Sequence, residues 1–293
     1  MRRAGMESEK MLGRDQSTQA STREFVFTDA DFERVRQLIY KHAGISLAPV
    51  KRDMVYSRLA RRLRATGKAS FTAYLDSLER GGGDEWERFV NSLTTNLTSF
   101  FREEHHFPIF AEHLRKIGNK RPIRVWCCAA STGEEPYSIA ITVLETFNNP
   151  SHVSIIASDI DTNVLATAQR GIYPAERVEK MSPERLRRFF LKGTGTQAGM
   201  VSVRPELQRL IEFRRVNLLE SSYSVRGPLD VIFCRNVMIY FDKPTQYKIL
   251  ANFAPLMQSD GVMFAGHSES FLHAADLFKS QGKTVYTLTR AMR

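Results

Sequence analysis

The chain has 293 residues, of which 42% are hydrophobic, and 42 Lys or Arg residues outnumber 32 Asp or Glu residues to give a formal charge of +10. This length and composition predict a globular protein of two domains and argue against one simple core. The positive surplus predicts an anionic partner, for which nucleic acid, acidic lipid and a Glu-rich protein all qualify.

The cysteines indicate a reducing compartment, and the hydropathy pattern indicates a protein without a membrane span. The three cysteines are odd in number, and Cys127 and Cys128 are adjacent in an apolar run, so neither a disulfide framework nor a metal site is predicted. No apolar stretch approaches the roughly 18 to 20 residues of a membrane span, and the N-terminus lacks the apolar core of a signal peptide. We therefore expect a soluble, cytoplasmic protein without direct membrane insertion.

The N-terminal third divides into three segments. Residues 1–22 are polar and of mixed charge, which predicts a disordered tail because little apolar surface is available to offset the entropy of ordering. Residues 23–90 place apolar side chains such as Phe32 and Val35 at helical spacing, which predicts an all-helical domain. Residues 91–118 are predicted to form an interdomain helix or linker.

Residues 119–293 alternate apolar strands with helices, a pattern that predicts an α/β domain with a parallel, doubly wound sheet. The predicted strands are 123–128, 153–157, 211–214, 230–234, 261–265 and 284–289. The alternation fails at about 174–210, where a short helix opens at Ser182 and a Gly-rich segment precedes the alternating residues 200–203. We interpret this region as an inserted β-subdomain containing antiparallel strand.

The exit of the first predicted strand is unusual for a nucleotide site. Small residues at 129–133 are followed by Glu134, Glu135 and Pro136, and ligands of doubly wound sheets lie at such strand ends. The run is not G-x-G-x-x-G, and two acids at a helix N-terminus disfavour a pyrophosphate, which argues against NAD. A cationic sulfonium cofactor would instead be attracted. Acids in a first helical turn also simply complement the helix dipole.

Polar residues follow two further predicted strands. Asp159 stands where an acid accepts hydrogen bonds from ribose hydroxyls, and Asp161 competes for this role. For either acid, a helix N-cap explains the spacing equally well. Arg235 and Asn236 follow the strand at 230–234, where a methyl acceptor would lie, although Arg235 could also be a structural ion-pair partner.

A basic run occupies residues 51–64, which contain six basic residues and one acid. On a helix, Lys51, Arg58, Arg61 and Arg62 fall on one arc. A solvated helix face is the commonest explanation of such a run.

Five segments in order resemble the chemotaxis receptor methyltransferases of the CheR family, over about residues 25–290. They are NLTSFFR at 96–102, STGEEPYS at 131–138, SDID at 158–161, FCRNVMIYF at 233–241 and GHSE at 266–269. The resemblance implies a class I S-adenosylmethionine-dependent domain of Rossmann-like fold, with an inserted small antiparallel β-subdomain and an N-terminal all-helical domain. It also implies methyl transfer to glutamate carboxylates of chemotaxis receptors, which yields glutamate methyl esters and S-adenosylhomocysteine.

The resemblance further implies roles for individual residues. The cofactor site would be lined by Asn96, Thr98, Arg102, Glu134, Asp159, Asn217, Leu218, Arg235 and Asn236, the first three of them on the interdomain helix. Arg102 and Tyr240 would position the reacting groups. A glutamate carboxylate, with a pKa of about 4.3, is already ionised at neutral pH, so the reaction needs no general base. No metal is expected.

Two recognition surfaces are implied for the receptor. Because methylation sites in the family lie on Glu-rich receptor helices, Arg58, Arg61 and Arg62 are predicted to dock them by charge complementarity. In many relatives the β-subdomain captures a receptor C-terminal peptide by strand addition. The loop glycines here resemble that tethering subgroup, although a flexible hairpin turn fits them equally well; they are Gly193, Gly195 and Gly199. We expect a monomer.

Alternative functions have less support. A nucleic-acid-binding protein or RNA methyltransferase would suit the basic charge, but the chain lacks Asn-Pro-Pro-aromatic and Pro-Cys motifs and an aromatic stacking platform. No nucleic-acid partner is therefore expected. The polar residues of 235–241 argue against a catalytically idle cofactor sensor. His105 and His106 point about 100° apart on a helix, which favours packing over metal binding.

Overall fold

The computed structural model describes residues 23–289, so the tail predicted for residues 1–22 lies outside the described residues. The first four helices are α1 (Asp29–Ala43), α2 (Arg52–Thr66), α3 (Phe71–Gly81) and α4 (Asp84–Leu93). Their apolar faces bury one common core that includes Val35, Leu59 and Phe71. The all-helical N-terminal domain is thereby confirmed.

The segment after α4 departs from its prediction. Asn96, Thr98 and Arg102 were expected on an interdomain helix, but residues 94–105 are not helical and the next helix is α5 (His106–Ile117). The reason is that this backbone bonds across the molecule. The carbonyl of Arg102 accepts from Arg235, and that of Asn96 accepts from the Ser131 hydroxyl 3.0 Å away. Those groups are not available for a helical ladder.

The second domain begins with the first strand after α5. Its elements in chain order are β1 (Ile123–Cys127), α6 (Glu134–Thr146), β2 (Val153–Asp159), α7 (Thr162–Arg170), β3 (Ile172–Pro174), α8 (Pro183–Phe189), β4 (Phe190–Lys192), β5 (Met200–Val203), α9 (Pro205–Gln208), β6 (Ile211–Arg215), β7 (Leu229–Cys234), α10 (Lys243–Phe253), β8 (Met257–Ala265), β9 (Phe278–Ser280) and β10 (Val285–Leu288). The six strands predicted for the main sheet are all present.

Seven of these strands form one sheet in the order β6-β2-β1-β7-β8-β10-β9. The pairs β6–β2, β2–β1, β1–β7 and β7–β8 are parallel, as predicted for a doubly wound sheet. At one edge the sheet is mixed, because β10 runs antiparallel to both β8 and β9. The edge strand is β9, and β10 turns back from it to lie between β9 and β8, an antiparallel arrangement that needs no crossover helix.

Both faces of the sheet carry apolar cores. Helices α5 and α6 pack on the face that holds Val125 and Ile155, whereas α10 packs on the face that holds Trp126 and Ile232. Buried strands with cover on both faces have nearly continuous apolar sequences, which explains why they were readable from sequence. The carboxyl ends of β1, β2 and β7 meet at one end of the sheet and face the helical domain.

The inserted subdomain is a separate sheet of three antiparallel strands in the order β3-β5-β4. The predicted β-subdomain is therefore confirmed, and its short helix α8 begins where the Ser182 hydroxyl accepts from the Arg185 amide. Within residues 23–289, no helix is both long and apolar enough to cross a membrane.

Candidate active site

A cavity of about 460 Å³ lies between the helical domain and the carboxyl ends of β1, β2 and β7. Its volume is in the range of small-molecule and cofactor sites. The residues predicted for the site that line it are Asn96, Thr98, Arg102, Asp159, Asn217, Leu218, Arg235, Asn236 and Tyr240. The geometry thus gathers nine predicted residues from four separated stretches of sequence. Glu134 is not among the lining residues.

The first loop brings backbone close to the cavity. Ser131 has a φ of 49° and Gly133 a φ of 103°, so the chain turns sharply between β1 and α6. The Ser131 amide donates to the Asp159 carboxylate at 2.8 Å, which ties the ends of two neighbouring strands together. The small residues of this loop were identified from sequence for that close approach.

The two competing acids have different places. Asp161 caps α7 by accepting from the amides of Asn163 and Val164, and it also accepts from the Thr94 hydroxyl. Asp159 lines the cavity and accepts from the Ser131 and Asp161 amides, one on each oxygen. Burial raises the pKa of Asp159 to about 6, against these hydrogen bonds, which favour the ionised form. Each oxygen keeps a second acceptor site for a ligand hydroxyl.

A network of buried charged side chains lies beside the cavity, at the carboxyl end of β7. The Arg235 guanidinium, 3% exposed, donates to Glu135 at 2.7 Å and lies 3.4 Å from Glu103. Burial raises the pKa of Glu135 although Arg235 opposes the shift. For Glu103, burial is outweighed by the hydrogen bond from His267 and the charge of Arg235, which together hold its pKa at about 2. Arg235 is therefore both a cavity residue and a structural ion-pair partner.

Glu134 occupies a different environment from its neighbour Glu135. It is fully buried, accepts a hydrogen bond from the Thr132 hydroxyl at 2.6 Å and lies 3.6 Å from Arg177 of the β-subdomain. The acid of this loop that reaches the cavity is Glu135.

Glu269 is a functional residue that sequence reasoning did not assign, although it ends the GHSE motif. Its buried carboxylate accepts from the amides of Asn236 at 2.9 Å and Met238 at 2.7 Å, and also from that of Gly266. Burial raises the pKa of Glu269 while these amides oppose the shift. This carboxylate holds Asn236 at a φ of 58°, a conformation that L residues rarely adopt.

The helical domain completes the cavity. The Ser46 amide donates to the Tyr240 carbonyl at 2.8 Å, and the Asn217 side chain donates to the His42 carbonyl at 2.8 Å. The hydroxyl of Tyr240 donates to the Thr95 carbonyl at 3.3 Å. Burial raises the pKa of Tyr240, so its hydroxyl is neutral at pH 7. Both domains thereby fix the loops that carry the site.

The predicted substrate-docking arginines of α2 do not share one role. Arg62 forms a bidentate pair with Glu85 at 2.9 and 2.6 Å, and Arg58 donates to backbone carbonyls at the end of α4. Arg61 is exposed, as is Lys51, which lines the cavity. Within residues 23–289, neither Arg61 nor Lys51 forms an ion pair. The arc of charge predicted from sequence is therefore partly neutralised inside the domain.

The predicted glycine loop joins β4 to β5. Gly195 and Gly199 have φ values of 57° and 85°, and a Cβ at Gly193 would lie 2.1 Å from the Gln197 carbonyl oxygen. All three glycines lie outside the residues that line the cavity. The loop thus forms a hairpin turn at an edge strand of the small sheet.

The histidines have structural surroundings. His106 is buried, its Nε2 lies 2.8 Å from the Lys283 carbonyl, and burial lowers its pKa to about 4. Among the described residues, no three His, Cys, Asp or Glu side chains are close enough to hold a metal ion.

This doubly wound sheet, with a cavity at the carboxyl ends of its strands and an acid placed for a ribose, is the architecture of a Rossmann-like nucleoside-binding domain, to which the class I S-adenosylmethionine-dependent methyltransferases belong. The family model "CheR methyltransferase, SAM binding domain" matches residues 96–287, and "CheR methyltransferase, all-alpha domain" matches residues 30–94. The chain therefore belongs to the CheR methyltransferase family, and S-adenosylmethionine is its cofactor.

Relatives of high identity cover nearly the whole chain. Chemotaxis protein methyltransferase 2 of Pseudomonas aeruginosa is 54% identical over 90% of this chain and 95% of its own length. The chemotaxis protein methyltransferase of Salmonella typhimurium is 54% identical over 92% of this chain and 93% of its own. That of Escherichia coli is 52% identical, with 92% and 94% covered. The family resemblance seen in the sequence is confirmed.

Proposed function

We propose that this protein transfers the methyl group of S-adenosylmethionine to glutamate carboxylates of chemotaxis receptors, giving glutamate methyl esters and S-adenosylhomocysteine. The observation that carries the proposal is the cavity that joins Asp159 to Arg102 and Tyr240. The names of the relatives support chemotaxis as the setting.

The cavity suits the cofactor in both charge and polarity. Asp159 offers acceptor sites for two ribose hydroxyls, and the apolar side chains of Ile160, Val216 and Leu218 suit an adenine ring. Bound there, the cofactor supplies a methyl group on a cationic sulfur. Glu135, paired with Arg235, lines the same cavity, where its carboxylate would attract that cation.

Arg102 is the guanidinium best placed to take an anion. Arg235 is engaged by two carboxylates, whereas Arg102 donates to the Leu97 carbonyl at 2.8 Å and has no carboxylate partner among residues 23–289. We assign Arg102 to a carboxylate, either of the acceptor glutamate or of the cofactor. Its pairing should be moderate, because the charges of carboxylate and sulfonium cancel in the transition state.

Tyr240 orients the acceptor oxygen through a neutral hydrogen bond, which is weaker than the ionic contact of Arg102. Its neutral hydroxyl makes a long hydrogen bond of 3.3 Å to the Thr95 carbonyl, which an acceptor oxygen can replace. No histidine occurs among the described residues that line the cavity. The carboxylate acceptor is already a nucleophile, so the residues here only align the reacting atoms and exclude water.

One experiment tests the reaction. The enzyme is incubated with tritiated S-adenosylmethionine and receptor-containing membranes, and the labelled product is treated with base. A carboxyl methyl ester releases its label as volatile methanol. Label that stays bound to protein or to nucleic acid under base would contradict a glutamate ester.

The two positioning residues are tested in the same assay. We expect Arg102→Ala to lower turnover by about 10²-fold and Tyr240→Phe by about tenfold, because each removes one oriented polar contact. Arg115→Ala on the exposed face of α5 is the matched control and should be unchanged. Near-normal turnover in both site variants would remove this assignment.

Receptor recognition is proposed to use two surfaces. The exposed cations Lys51, which lines the cavity, and Arg61, on the same helical segment, suit Glu-rich receptor helices by charge complementarity. The edge strand β4, beside the Gly193 hairpin, suits strand addition by a receptor C-terminal peptide. Titration of the enzyme with such a peptide tests the tether, and the absence of measurable binding would refute it.

A further inference from the structure

A second groove, of about 710 Å³, lies on the sheet far from the cofactor cavity. It covers the first residues of β1, β2 and β6, whereas the cofactor cavity lies at the ends where these strands finish. The two sites share no lining residue. An occupant of the groove therefore leaves the cofactor cavity open.

The groove exists because one corner of the sheet has no helix over it. Strand register places Arg124 beside Ser154, and Ile156 beside Glu212, on one face of the sheet. Helices α6 and α7 contact β2 from the other face, where Ile155 is buried. On the open face the chain between β6 and β7 contributes Tyr223, whose ring packs 5.2 Å from that of Trp126. Beyond Tyr223 the strands are uncovered.

Arginines from three separate segments surround this face. They are Arg124, Arg209, Arg214 and Arg226, and the single acid among the lining residues is Glu212. Arg214 holds Glu212 through two hydrogen bonds of 2.7 Å. Arg124 donates to the Gly227 carbonyl at 3.0 Å. Arg209 and Arg226 are exposed, and neither has a carboxylate partner within residues 23–289. Three guanidinium groups thus remain without a counter-charge.

We propose that this groove docks an acidic, extended polypeptide segment of a partner protein. The bidentate pair of Arg214 with Glu212 shows how the groove holds a carboxylate. Between the arginines, the floor offers the apolar surface of Ile156, Leu210 and Tyr223. A segment that alternates acidic and apolar residues matches both features.

A polypeptide fits the groove better than a phosphate does. Guanidinium groups spread over three segments can meet successive carboxylates along a chain, whereas a phosphate site gathers backbone amides, commonly at a helix N-terminus. The groove is lined by strands and loops, and no helix N-terminus contributes to it.

The test measures binding of a fluorescent peptide of alternating Glu and Val residues to the full chain by anisotropy at low salt. Wild type should bind, and affinity should fall as salt rises. The triple variant Arg124→Gln, Arg209→Gln and Arg226→Gln should weaken binding by roughly tenfold or more. The matched control replaces three exposed arginines outside the groove, Arg88, Arg115 and Arg187, by Gln.

A second variant, Ser154→Phe, fills the groove at an exposed strand position without changing charge, and it should also weaken binding. Thermal melting and cofactor affinity are measured to show that each variant is folded. Unchanged cofactor affinity also shows that a loss of peptide binding is independent of the methyltransferase assignment. Equal loss of binding in the triple variant and its control would overturn the proposal. So would groove-dependent binding of pyrophosphate or anionic phosphatidylserine vesicles when the peptide itself does not bind.

Discussion

Asp159 combines two demands that oppose each other. The cofactor site needs an ionised acceptor, but the residue is 9% exposed, and burial raises its pKa from the ordinary 3.8 to about 6. A carboxyl with a raised pKa binds its proton more tightly when folded than when unfolded. The ionised form therefore costs folding free energy above pH 6, and that cost declines as the pH falls from about 6 towards 4. The ionised carboxylate that cofactor binding requires therefore lowers the stability of the folded protein.

A pH dependence of cofactor binding follows. Ribose hydroxyls donate to the ionised form of Asp159, so cofactor affinity should fall as the pH drops below about 6, approaching about tenfold per pH unit. Calorimetric titration with S-adenosylhomocysteine between pH 8 and pH 5 measures this change. Asp159→Asn should bind more weakly at pH 8 and give a flatter profile. Identical profiles for wild type and variant would contradict the role.

Glu269 acts on the site through backbone, which defines it as a positioning residue. Glu269→Gln puts an amide donor against the backbone amides that the carboxylate now accepts from. We expect a loss of about 2 kcal/mol in the free energy of unfolding, together with weaker cofactor binding as Asn236 leaves its positive-φ conformation. Urea unfolding and calorimetry measure both effects. Glu206→Gln, an exposed acid on α9, should change neither, and equal effects of the two substitutions would count against this role.

At the scale of single elements, α2 packs its apolar face into the helical domain and carries arginines that are either paired within that domain or exposed. Leu59 and Leu63 bury its apolar face, as its sequence pattern predicts. Its arginines then divide between internal pairs and solvent. The partner of Arg62 is Glu85, which is 23 residues away in sequence on α4, so periodicity alone could not reveal that this charge is neutralised.

The two kinds of arginine should respond differently to substitution. Arg62→Ala leaves Glu85 half-buried without its partner, and we expect a loss of about 2 kcal/mol in the free energy of unfolding. Arg61→Ala should change stability by less than about 0.5 kcal/mol but raise KM for receptor several-fold. Urea unfolding and methylation kinetics separate these outcomes. If Arg61→Ala leaves KM unchanged, α2 is not a docking surface.

The elements that could be predicted from sequence are those whose conformation follows from their own residues. Buried strands such as β1, β2 and β7 are mostly apolar, and the exits of β2 and β7 identify Asp159 and Arg235. The segment 94–105 was expected to be helical, yet its conformation is set by partners far along the chain. Glu269 was likewise out of reach, because its amide partners at Asn236 and Met238 become neighbours only in the folded sheet.

At the scale of the molecule, the cofactor cavity exists only where the two domains meet. Tyr40 of α1 donates to Asp242 at 2.8 Å, and the Thr94 hydroxyl donates to Asp161 at 2.8 Å. Gly44, which ends α1 at a φ of 68°, also lies against the second domain. A Cβ there would lie 2.7 Å from Leu219 and 3.0 Å from the ring of Phe241.

Gly44→Ala should therefore disturb the site from the other domain. We expect a loss of about 1 to 2 kcal/mol from backbone strain, and in addition weaker cofactor binding because the clash displaces the loops of Leu219 and Phe241. Gly67→Ala is a matched control, since Gly67 ends α2 at a φ of 64° with no atom within 4 Å of a new Cβ. It should lose comparable stability and keep cofactor affinity. Equal cofactor affinity in the two variants would refute the coupling.

The close contact at Gly44 also limits which substitutions this protein can accept on either side of it. Space for the glycine is set by two side chains of the other domain, Leu219 and Phe241, so a larger residue at either position leaves no room for the α1 terminus. A change on one side then has to be matched by a change on the other. The helical and methyltransferase domains of this chain are therefore matched at this seam, and replacing one of them by a domain with larger residues there would break the fit.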